Sequence, residues 1–134
     1  MRSNYLVLRL LPGDDLYVQL ESNCQKVAMT SAAIISAVGC IRELKIRTAD
    51  GQSIYHEKNY FEVTSLSGTI SEDGAHIHIQ VCDANLRSIG GHLLPGTFIH
   101  TTMELVIVNL KNEYRLTRSY DEVTGYDELE IKRK

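Results

Sequence analysis

Apolar and polar residues alternate with a period of two over much of this chain, and only two stretches depart towards a helical pattern. Residues 5–11 (YLVLRLL) read as a first strand, stopped by Pro12-Gly13. Asp14 then serves as a helix N-cap with Asp15 in the first turn. Leu16, Leu20 and Cys24 recur every four residues on the buried face of a helix that runs to about Gln25. Thr30-Ser31, the small-residue run 32–38 and Gly39 predict a second helix with a glycine stop. From Cys40 onwards the pattern is strand-like. Asp50-Gly51, Asp73-Gly74 and Pro95-Gly96 mark tight turns between strands at 40–48, 54–55, 59–70, 76–82 and 97–110, the third bent at Ser67-Gly68.

The segment 97–110 carries apolar groups on both faces, as expected of a central strand covered on both sides. The tail reads as a strand from Tyr114, a polar loop at 119–122, Gly125, and a last strand at 129–131. This order predicts an α+β fold: a mostly antiparallel sheet with two helices on one side. No repeat, low-complexity run or linker divides the 134 residues, so one domain over 1–134 is expected.

Composition narrows the function classes. The longest apolar-leaning run, 32–41, is too short to span a membrane and is broken by Ser36 and Gly39. A formal net charge of −3 speaks against nucleic-acid binding through the chain's own phosphate contacts. Cys24, Cys40 and Cys82 are odd in number and lack CxxC spacing, which favours reduced thiols over a disulfide framework or a thiolate metal site. Met1-Arg2-Ser3-Asn4 leads into the first strand without a secretory pattern, so a cytoplasmic protein is expected.

The candidate chemistry sits in 74–110, which holds four of the five histidines. In His76-Ile77-His78-Ile79-Gln80-Val81-Cys82 the alternation puts His76, His78, Gln80 and Cys82 on one face and the apolar residues on the other. Gly90-Gly91-His92 follows a polar connection, and the backbone freedom of a glycine turn there would aim a third imidazole at the same spot. Three histidines with an open fourth position form the donor set of a reactive zinc, with nickel, copper or iron as other divalent choices. The competing reading is a polar strand face with a loop histidine beside it. Glu104 is the candidate acid–base group beside such a metal, the alternative being a charge-paired glutamate in the sheet or at a subunit contact. Cys82 lies too far along the strand to join the histidines, and His56 and His100 read as surface and structural residues.

Five segments in order resemble the plants and prokaryotes conserved (PPC) domain family. They are Leu10-Leu11-Pro12-Gly13-Asp14-Asp15-Leu16, the small-residue run 32–39, Phe61-Glu62-Val63-Thr64-Ser65-Leu66-Ser67-Gly68, the His76/His78, Gly90-Gly91-His92-Leu93 and Glu104 block, and the closing 121–129. The resemblance implies a trimer-forming α+β domain and, as in some prokaryotic members, a metal held by His76, His78 and His92. It also brings DNA into view as a partner, because plant members are attached to AT-hook nuclear proteins. No Arg-Gly-Arg-Pro element occurs in this chain, however, and Asn59-Tyr60 stands where plant members have Gly-Arg. The fold's relation to acetolactate decarboxylase adds a third possibility, a metal-dependent lyase or hydrolase acting on a small oxygenated molecule. A trimeric metal-binding module is the leading expectation, with a DNA-binding, transcription-associated module and the enzyme as alternatives.

Overall fold

The computed structural model describes residues 3–134; the secretory reading of 1–4 falls partly on Met1 and Arg2, outside the described residues. The elements are β1 (Tyr5–Leu10), α1 (Leu16–Lys26), β2 (Ala32–Arg47), β3 (Ile54–Ser71), β4 (Gly74–Asp83), β5 (Ser88–Leu93), β6 (Phe98–Asn109), β7 (Tyr114–Tyr120) and β8 (Asp127–Arg133). Six strands form one antiparallel sheet in the order β1-β6-β2-β3-β4-β5, and β7 pairs with β8 in a separate two-stranded sheet. The end of β2 also pairs with β5, Ile46 opposite Leu93 and Arg47 opposite His92, so the β2–β5 part of the sheet closes on itself. No described helix is long and apolar enough to cross a membrane.

α1 forms as the sequence predicts, but its N-cap is Asp15 rather than Asp14: the Asp15 side chain accepts from the Val18 N–H at 3.1 Å. Asp14 instead accepts from the Leu11 N–H at 2.8 Å and holds the turn before the helix. Leu16, Leu20 and Cys24 face the core, as their four-residue spacing requires.

The second helix is a correction. Residues 32–39 open β2, paired with β3 on one side and β6 on the other. Alanine-rich sequence favours a helix locally, but β-branched Ile34, Ile35 and Val38 fit a pleated surface, and ladders on both sides override the weak local preference. Ser31 is buried and is not a helix cap; its hydroxyl accepts from the Leu116 N–H at 2.9 Å. Gly39 is not a helix stop either. A β-carbon there would lie 2.1 Å from the Thr102 carbonyl oxygen of β6, so glycine lets the two strands approach. The sheet is thus mostly antiparallel with one helix.

The hairpin turns fall where expected, with Gly51, Gly74 and Gly96 at φ +77, +122 and +104°. Gly90 and Gly91, expected in a turn, lie inside β5. The turn before them is 84–87, where Leu86 takes φ +64° and the Asp83 carboxylate accepts from the Asn85 and Arg87 N–H groups. Ile77, Ile79 and Val81 of β4 are buried with Leu44, Phe61, Leu93, Ile99, Met103, Leu105 and Ile107 in one core. The polar partners of the β4 alternation therefore face outwards.

Candidate metal centre

Two adjacent strands and a missing β-carbon build the site. His76 and His78 project from the outer face of β4, fixed by the burial of Ile77 and Ile79 between and beyond them. His92 stands directly opposite His78 across the β4–β5 pair. β5 is squeezed between β4 and the end of β2, and at Gly91 a β-carbon would meet the Arg47 carbonyl oxygen at 2.7 Å. The glycine therefore serves to seat His92's strand against both neighbours rather than to turn the chain.

One ligating atom from each of His76, His78 and His92 lies within 4.8 Å of the others. The ring centroids are 5.0 Å apart for His76–His78, 5.1 Å for His76–His92 and 5.8 Å for His78–His92. Three nitrogens on a tetrahedral zinc at about 2.0–2.1 Å are separated by roughly 3.3 Å, so small side-chain rotations bring these rings to bonding distance. Nδ1 of His92 is buried with no hydrogen-bond partner among the described residues. Burial holds the His92 imidazole well below its ordinary range, at about 4, with Arg47 and then the other two histidines adding to the effect. Burial and the neighbouring His78, then Arg118 and Arg47, likewise lower His76, while Glu128 opposes them. Neutral imidazoles are the form a cation binds, so the donor set fits a divalent transition metal.

A cleft of about 690 Å³ opens over His76 and His92, and its walls include Tyr17, Arg47, Arg118, Tyr126 and Glu128. None of these was legible as a site residue, since β2, α1, β7 and the strand after it reach the cleft through pairings distant in sequence. A concavity of about 740 Å³ elsewhere, between Tyr5, Lys26 and Lys111, holds no cluster of ligating groups among the described residues.

Glu104 is not brought to the histidines. It lies exposed on β6, opposite Arg9 of β1 and Val38 of β2. β2 meets His92 of β5 at Arg47 but meets Glu104 at Val38, nine residues away and roughly 30 Å along the strand. Cys82 stays outside the histidine group, as its distance along β4 implies. His56 bonds Glu43 at 2.6 Å, and His100 packs on Tyr60 with ring centroids 4.5 Å apart.

The family description of the Plants and Prokaryotes Conserved (PCC) domain matches residues 2–111. The chain belongs to this family. A solved structure of a protein from Salmonella enterica is 35% identical, covers 97% of this chain and 94% of its own, and superposes with a TM-score of 0.92. A metal-containing protein from Archaeoglobus fulgidus is 27% identical over 94% of this chain and 92% of its own, with a TM-score of 0.74. A bifunctional protein GlmU from a Synechococcus strain is 41% identical over 94% of this chain, which spans about 20% of that relative's length. Structures provisionally described as DNA-binding share 21% and 22% identity, and their likeness is one of fold.

Proposed function

We propose that this PCC domain is a trimeric module binding one divalent transition metal, zinc foremost, through His76, His78 and His92. The observation that carries the reading is the convergence of three imidazole nitrogens within 4.8 Å from two hydrogen-bonded strands. An all-imidazole set with no thiolate suits zinc, and the cleft over His76 and His92 leaves room for a fourth ligand. When bound, such a metal polarises an oxygen ligand or acidifies a bound water. The metal-containing description of the Archaeoglobus relative supports the same reading.

Trimer formation is supported by an outer face that no element among the described residues covers. Register places Tyr5 and Val7 of β1, Val106 and Val108 of β6 and Val38 of β2 side by side there, with Val7 72% and Val38 57% exposed. Glu104 and Arg9 share this face, which suits a glutamate at a subunit contact. Unpaired thiols at Cys24, Cys40 and Cys82 fit a cytoplasmic setting. In the cyanobacterial relatives the domain is one part of a longer bifunctional protein, which favours a module working beside other activities.

The alternatives carry less. A lyase or hydrolase would need an acid–base group other than Glu104 of the same chain. A DNA-associated module must overcome the net charge of −3, and an anisotropy titration at low salt would expose any phosphate-driven binding. The test of the leading reading is a zinc titration against a chromophoric chelator. Wild type is expected to take one equivalent, and His78→Ala to bind at least about 100-fold more weakly. Equal affinity in the two proteins would remove the histidines from the site.

A further inference from the structure

Arg47 and Arg118 reach the histidine cluster from two sides, and neither is spent on a carboxylate among the described residues. Arg47 is the register partner of His92 across the β2–β5 pair. Arg118, on β7, donates from its guanidinium to Thr69 Oγ1 at 3.4 Å, and Thr69 is the residue opposite His76 on β3. Among the described residues the arginine ion pairs belong to Arg87 and Arg115 alone. Nε of Arg47 is buried with no acceptor, while its guanidinium lies 5.7 Å from the centroid of the Tyr126 ring. A buried guanidinium N–H without a partner is costly, and an acceptor arriving from outside relieves that cost. Planar guanidinium forks match carboxylate and phosphate oxygens better than any other side chain does.

The charges around the cleft point the same way once a metal is counted. Asp73, Asp127 and Glu128 also line it. Asp73 is engaged, accepting the Arg118 backbone N–H at 2.8 Å, and Asp127 and Glu128 are exposed on β8. Three carboxylates and two guanidiniums sum to −1, so a bound dication leaves the cleft with a net charge of +1.

We infer that the cleft beside the three histidines binds a small molecule carrying an oxyanion, a carboxylate or phosphate, gripped by Arg47 and Arg118. The inference rests on the metal reading for its charge balance and on the two arginines for its grip. The test is a titration followed through the arginine Nε–H resonances of ¹⁵N-labelled protein, with pyruvate, inorganic phosphate and neutral pyruvamide as probes. It is run on metal-loaded and chelator-treated samples of measured metal content. The expected result is a saturable shift of the Arg47 signal by pyruvate or phosphate in the low-millimolar range, with pyruvamide inert. Arg47→Gln and Arg118→Gln should each weaken binding about tenfold or more while keeping the amide spectrum of the fold. Whichever anion shifts the signal at lower concentration names the oxyanion.

Loaded protein whose Arg47 signal ignores both anions up to about 50 mM overturns the inference and leaves the metal reading standing. An equal response to pyruvamide, or undiminished binding in both variants, overturns it as well. A chain that binds the anion but takes up no metal supports the arginine site and removes the metal reading instead.

Discussion

His78 of β4 and His92 of β5 are direct partners in an antiparallel ladder, with ring centroids 5.8 Å apart. The pair is therefore set by backbone hydrogen bonding rather than by a loop, and His76, two residues along the same face, completes a preorganised set of donors. The fold itself thus holds the three imidazoles together.

Metal binding should stabilise the fold by mass action. With free zinc at about 100 times its dissociation constant the gain is about 2.7 kcal/mol, or roughly 10 °C in melting temperature for a domain of this size. Thermal melts of chelator-treated protein with and without zinc check this, and the shift should vanish in His76→Ala.

Gly91 and Gly39 offer a contrast between site and scaffold. Gly91→Ala places a β-carbon 2.7 Å from the Arg47 carbonyl oxygen and pushes β5 from β2, so it should cost about 1–3 kcal/mol and weaken zinc binding together. Gly39→Ala meets the Thr102 carbonyl oxygen at 2.1 Å, far from the histidines. It should destabilise the fold at least as much, yet leave zinc affinity within about twofold in the folded fraction. Denaturant melts paired with zinc titrations separate the two effects.

Acid should loosen the metal-free protein in a defined window. His92 in the fold titrates at about 4 against 6.5 when unperturbed, and His76 is lowered too. Above pH 6.5 both folded and unfolded chains hold these imidazoles neutral, and their contribution to stability is intact. As pH falls from 6.5 towards 4 the unfolded chain takes up protons first, so stability is lost across that interval. Asp83, Glu57 and Glu72, all held below their ordinary values, stay ionised in the upper part of it. Melting curves of chelator-treated protein between pH 7.5 and 5 should show the decline, and His92→Asn should flatten it.

How much of this was readable from the chain depends on how local the cause is. The β4 alternation fixed His76 and His78 on one face without any knowledge of the sheet. Residues 32–39 misled because alanine, serine and a closing glycine mimic a helix, while the ladders that make them a strand come from β3 and β6. Gly90-Gly91 resembled a turn for the same reason: the close approach of β2 that requires Gly91 is a long-range contact. Glu104, twelve residues after His92, looked close in sequence, but the chain crosses from the β4–β5 side of the sheet to beyond β2 before reaching it. Arg47 and Arg118 carried no signal at all, since only the closure of β5 on β2 and the docking of β7 bring them to the cleft.

The exposed outer face gives an assembly prediction. Val38→Glu sets a second carboxylate beside Glu104 on the outer face that also carries Val7 and Val106, and should convert a trimer to monomers while sparing zinc binding. Glu104→Gln should leave zinc affinity unchanged, because its strand lies apart from the histidines. Light scattering and zinc titration on both variants check these outcomes, and a monomeric wild type would refute the trimer.

The central claim meets its most direct test in the transition-metal content of protein purified without chelator and measured per chain. The account predicts about one equivalent, lost when His76, His78 and His92 are all replaced by alanine. Less than about a tenth of an equivalent, with no uptake when zinc is added back, would contradict it.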